Sequence, residues 1–121
     1  MIINISDIKV SRHVKGISNA DLLRMKDYLQ GLIYSWCNVH QKKWFAARDL
    51  VGRRNFYWQG TPVYLLYQKH RNKGQDNDTA KSSAAKDLGW ILLKVIKNDK
   101  RHFHTRKHYT REYSWDGDDT Y

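Results

Sequence analysis

The sequence predicts an α+β fold, mainly helical, with three to four helices and a C-terminal β-hairpin. Two periodicities carry that reading. Apolar residues recur at three- and four-residue steps over residues 18–38 and again over 79–97, the mark of amphipathic helices. After residue 101 the repeat shortens to two and the ring-bearing residues crowd together, as in extended chain. Composition adds that 121 residues with a 40% hydrophobic fraction suit one folded domain.

Taken in order, Ile3, Ile5, Ile8 and Val10 are spaced like an edge strand over residues 2–10. Ser18 followed by Asp21 makes a capping box. Beyond it, Leu22, Met25, Leu29, Leu32, Ile33 and Trp36 form the apolar stripe of a helix ending near Asn38, widened by Tyr28, Tyr34 and Cys37. Phe45, Leu50 and Val51 predict a two-turn helix stopped by Gly52. Residues 53–60, with Phe56, Tyr57 and Trp58 in sequence, read as a loop. Thr61 and Pro62 resemble an N-cap and a first-turn proline, so a short helix is expected over 62–72, ending before Gly74. The polar connector from Asn72 to Asp78 leads to a helix capped by Asp78 or Thr79. Its apolar face is Ala84, Leu88, Ile91, Leu92, Val95 and Ile96. Gly89 weakens this helix and suggests the close approach of a neighbour. Over 100–115, Phe103, Thr105, Lys107, Tyr109, Arg111, Tyr113 and Trp115 share one parity. That favours a hairpin turning near Arg106 and Lys107, with one long strand as the alternative. Residues 1–115 are expected to form a single globular domain, and 116–121 a frayed acidic tail.

The charge narrows the function classes. Lys and Arg number 22 against 12 Asp and Glu, a net +10. Residues 42–73 carry eight basic residues against one acid, and residues 80–111 nine against two, so each block is +7. Crowded like charge destabilises a small body unless a polyanion relieves it. A solvated surface that merely keeps the chain soluble would need less charge than this. No run approaches the roughly 18 apolar residues of a spanning helix, and the first residues lack the pattern of a secretion leader. Together with the single Cys37 this suggests a cytoplasmic protein with no membrane role, in which the Asn4 and Asn77 glycosylation patterns carry no meaning. Cys37 itself reads as a small buried hydrophobe, since only His40 is near it in sequence.

Helices followed by a basic hairpin resemble the element order of winged-helix proteins, although no signature motif is present. The resemblance implies a groove-reading helix at 79–97 and a wing at 100–115. A small, non-catalytic nucleic-acid-binding domain is therefore expected, with DNA placed ahead of RNA. The expected contacts are Lys86, Lys94, Lys97, Lys100, Arg101, Arg106, Lys107 and Arg111, joined by Arg53, Arg54 and Tyr57 from the aromatic loop. Asn72, Asn77, Ser82 and Ser83 are side chains of the kinds that touch base edges or sugars. Phe56 and Trp58 are expected in the core instead. A second reading is a protein-interaction module, or a homodimer, built on Tyr57, Trp58, Tyr64 and Trp115. A third is a small metal-independent RNase using His104, Arg106, His108 and Tyr109. No cofactor is expected. His102, His104 and His108 share a strand face with Glu112, but residues 104 and 108 would stand ~13 Å apart on a straight strand, too far to share one ion.

Overall fold

The computed structural model describes residues 1–9, 12–40, 43–52, 56, 58–107 and 109–119, with the backbone alone for 118 and 119. Its elements run β1 (Ile3–Asn4), α1 (Asn19–Val39), β2 (Phe45–Ala46), α2 (Ala47–Leu50), α3 (Tyr64–Asn72), α4 (Asn77–Asn98), β3 (Arg101–Lys107) and β4 (Arg111–Asp119). The α+β architecture read from the sequence is what forms: helices, then an antiparallel strand pair inside a four-stranded sheet ordered β1-β3-β4-β2. No helix is long and apolar enough to cross a membrane among the described residues.

α1 starts where its cap dictates, because the Ser18 hydroxyl accepts the N–H of Asp21 at 3.1 Å. Met25, Leu29, Ile33 and Cys37, one turn apart, are its fully buried stripe. α4 begins two residues before the expected start. Asp76, rather than Asp78 or Thr79, accepts the N–H of Thr79 at 2.8 Å, and that bond holds the Asp76 carboxyl below its ordinary pKa. α3 likewise departs from its expected cap. The Thr61 hydroxyl donates back to the Trp58 carbonyl, and the helix begins at Tyr64. Gly74 follows α3 at φ +96°, a left-handed turn that favours glycine.

Two local expectations yield to long-range pairing. The two-turn helix expected from Phe45 is one turn only, because Phe45 and Ala46 are strand β2, opposite Tyr113 and Glu112. The edge strand expected over 2–10 contracts to Ile3 and Asn4, paired with Thr105 and His104. Asn4 then accepts the N–H of Ser6 and closes a 3₁₀ turn at Ile5–Asp7. Val10 lies outside the described residues.

The hairpin turns later than the sequence suggests. β3 continues through Lys107, which stands opposite Arg111, so the chain reverses beyond Lys107 rather than at Arg106 and Lys107. β4 also runs on through Asp116 and Gly117 to Asp119, opposite Arg101, where an acidic tail was expected. The two-residue alternation holds. Phe103, Thr105, Tyr113 and Trp115 are buried against the helices, while His102, His104 and Arg106 take the other face. One hydrophobic cluster joins these residues to α1, α3 and α4, with Phe45, Phe103, Met25, Leu29, Ile33, Leu88, Ile91 and Ile96 among its fully buried side chains.

Candidate functional site

Beyond the apolar core, the hairpin overhangs α4. Lys107 and Arg111 face each other across the hairpin on its helix-facing side, close to the turn where the packed core ends. Like charges directly opposite on a strand pair repel, so this arrangement invites an anion. Lys86 and Gly89 of α4 lie across from them, and Lys9 enters from the segment after the 3₁₀ turn. The resulting cleft has a volume of about 470 Å³. Among the described residues its charged lining is Lys9, Lys86, Lys107 and Arg111, with no carboxylate. Leu92, Leu93 and Tyr113 form a buried floor, Trp90 is half-buried, and Lys9, Lys86, Lys107 and Tyr109 are exposed at the mouth. Tyr109 is fully exposed at the hairpin tip.

Local bonds hold these groups. Arg111 Nη1 donates to Thr105 Oγ1 at 3.0 Å, and the Thr105 hydroxyl donates to the Glu112 carbonyl at 2.9 Å. That engages one of five guanidinium N–H donors. The chain around Lys9 is strapped across α4. Lys97 Nζ donates to the Ile8 carbonyl, the Arg12 guanidinium sits 5.4 Å from the Trp90 ring centroid, and Lys94 Nζ lies 2.6 Å from His13 Nδ1. Burial, reinforced by nearby Lys26, lowers the Lys94 pKa.

Of the expected contacts, Lys86, Lys107 and Arg111 therefore meet in one cleft. Lys94 and Lys97 instead fasten the N-terminal segment to α4. Arg101 sits at the other end of β3, its guanidinium 4.6 Å from the Trp115 centroid and 4.9 Å from that of Tyr34. Arg106, on the opposite sheet face, pairs with Glu112 at 2.8 Å and covers Trp44 at 4.1 Å. Lys100 is exposed in the link before β3. Arg53, Arg54, Tyr57 and His108 lie outside the described residues.

The aromatic loop turns its described rings inward. Trp58 is buried and stacks on Phe56 at 4.7 Å, beside Tyr64 and Tyr67. Trp115 is buried too, so two of the four aromatics expected on an interaction surface belong to the core. His104 and Arg106 point away from the cleft that Tyr109 lines, which separates the described members of the nuclease set. His102 and His104 face Asp116 at 4.0 and 3.7 Å, and among the described residues no cluster of three or more ligating side chains could hold a metal ion. Cys37 is buried, as expected. Burial pushes its thiol above the ordinary pKa, with Arg101 pulling the other way.

Lys9, Trp90 and the role of Gly89 escape a reading of the chain. Lys9 stands between Asp7 and Arg12 in a stretch of no net basic excess up to that point, and the β1–β3 pairing brings it to the site. Gly89 admits no close neighbour: a Cβ added there meets nothing within 4 Å, because the glycine opens onto the cleft. A second groove, beside α3, is lined by Tyr64, Tyr67 and Arg71 but also by Asp21, and lacks this uniform charge. Comparisons with protein-family models, curated proteins and solved structures return no match for this chain.

Proposed function

We propose that this protein binds nucleic acid without catalysing a reaction on it, and that the cleft between α4 and the hairpin tip holds the phosphates. The observation that carries the reading is the set Lys9, Lys86, Lys107 and Arg111: four cations from three separate parts of the chain around one cleft, with no carboxylate among the described lining residues. Neighbouring cations raise one another's energy in the free protein. An incoming phosphate relieves that repulsion and releases the counterions condensed on the strand. Binding rather than cleavage is favoured because His104 and Arg106 take the far face of the sheet, away from these cations.

Each phosphate contact contributes about 0.7–0.9 to the slope of log affinity against log salt, so four contacts give a slope of about −3. Titration of a fluorescent oligonucleotide at low and moderate salt should show that dependence. Lys86→Ala combined with Lys107→Ala should roughly halve it, both side chains being exposed and outside the core. Weak binding that does not change with salt, or a double variant with the parent slope, removes the reading.

A further inference from the structure

The shape of the cleft says more than its charge. The element that reads a duplex is convex and enters a major groove about 12 Å wide. α4 is poorly placed for that. Leu88, Ile91, Leu92, Val95 and Ile96 are buried, and the N-terminal segment crosses the helix at Trp90, Lys94 and Lys97. What the basic residues surround is a concavity, and a volume of about 470 Å³ is in the range of a site for one small ligand. A concave site accepts a group that protrudes from its polymer. In nucleic acid that group is an unpaired base.

We infer, building on the function proposed above, that the cleft seats one unpaired nucleotide of a single strand. The base enters over Gly89 and packs on the part of the Trp90 indole that lines the cleft, beside the Arg12 guanidinium that covers the ring at 5.4 Å, with the phenol of Tyr109 at the mouth. Its flanking phosphates stay at the exposed lysines. Three features fit this occupant together. The buried floor is largely apolar, as a base face requires; three aromatic residues, Trp90, Tyr109 and Tyr113, line the site; and the exposed lysines stand at the mouth, where a backbone would pass. Gly89 supplies the room, since every other residue type would place a side chain where its missing Cβ leaves open space.

The experiment compares a short oligothymidylate strand with a blunt duplex of equal phosphate count, using the full chain. The single strand should bind at least about ten-fold more tightly, the equivalent of one base–aromatic stack, and should quench tryptophan fluorescence. Trp90→Phe should keep the affinity and lose most of the quench. Gly89→Leu fills the cleft without changing charge and should weaken the single strand about ten-fold or more, leaving the duplex unaffected. Gly89→Ala adds one carbon to open space and should bind as the parent does. Thermal melting confirms that both glycine variants fold. Equal affinity for strand and duplex, with Gly89→Leu harmless to both, overturns the inference and leaves the phosphate-binding reading standing. Failure of both nucleic acids to bind ends both.

Discussion

Arg101 offers a sharp separation between holding the fold and holding a ligand. Replacing it with Met keeps an apolar stem and removes the guanidinium. The half-buried guanidinium lies over both Trp115 and Tyr34, and Nη2 donates to Asn38 Oδ1 at 3.3 Å, joining β3 to α1. Two partly desolvated cation–π contacts contribute about 1–3 kcal/mol together, and the hydrogen bond about 1 kcal/mol. Against this, Nε and Nη1 are buried with no hydrogen-bond acceptor among the described residues, a desolvation penalty of about 1–2 kcal/mol that Met abolishes. The midpoint of these contributions is a net loss for Arg101→Met of about 1.5 kcal/mol, a fall in Tm of roughly 6 °C for a domain of this size. Thermal melting measures that fall, and the salt titration supplies the second reading. The salt slope should stay at the parent value, because this guanidinium faces protein rings rather than the cleft. An unchanged Tm would refute the stacking account. A slope reduced by about 0.7–0.9 would make Arg101 a phosphate contact after all.

Two further outcomes follow from the fold. Burial raises the pKa of Tyr113, so its stabilising contribution is complete below the unfolded value of 10.0 and is lost as pH rises above it. Melting from pH about 9 to about 12 should show a falling Tm, and Tyr113→Phe should flatten the fall; identical profiles would exclude Tyr113 as the cause. Ser18→Ala removes the N-cap of α1 and should destabilise the protein by about 1 kcal/mol in a denaturant melt, whereas an unchanged midpoint would mean that the first turn does not need the cap.

What could be read from the chain is what neighbours in sequence decide. The stripe from Met25 to Cys37 and the parity from Phe103 to Trp115 each state which face is buried, because helix and strand periods are local properties. Where Phe45 would sit is not local. Its spacing from Leu50 and Val51 fits a helix, but Tyr113, 68 positions away, makes it a strand. The same limit governs the site. The charge count marked Lys86, Lys107 and Arg111, yet Arg101 and Arg106 carry the same signal and are occupied by Trp115, Tyr34, Trp44 and Glu112. Only the pairing register and the strand faces separate the two groups. Lys9 shows the converse: nothing in its neighbourhood distinguishes it, and Ile3, opposite Thr105, brings it to the cleft.

The order of the sheet reverses the order of synthesis. Its central strands, β3 and β4, follow the helices in the chain, while the flanking β1 and β2 come earlier and, among the described residues, pair only with those central strands. During translation no strand of this sheet has a partner until residue 101 has been added. The helices must therefore hold their apolar faces together in the meantime, and Met25, Leu29, Leu88 and Ile91 can meet one another before the sheet exists. When the hairpin arrives it closes contacts across almost the whole chain, from Ile3 to Thr105, the kind of long-range pairing that slows folding. The candidate cleft is assembled in that same step, so a nascent chain has its helices before it has a site.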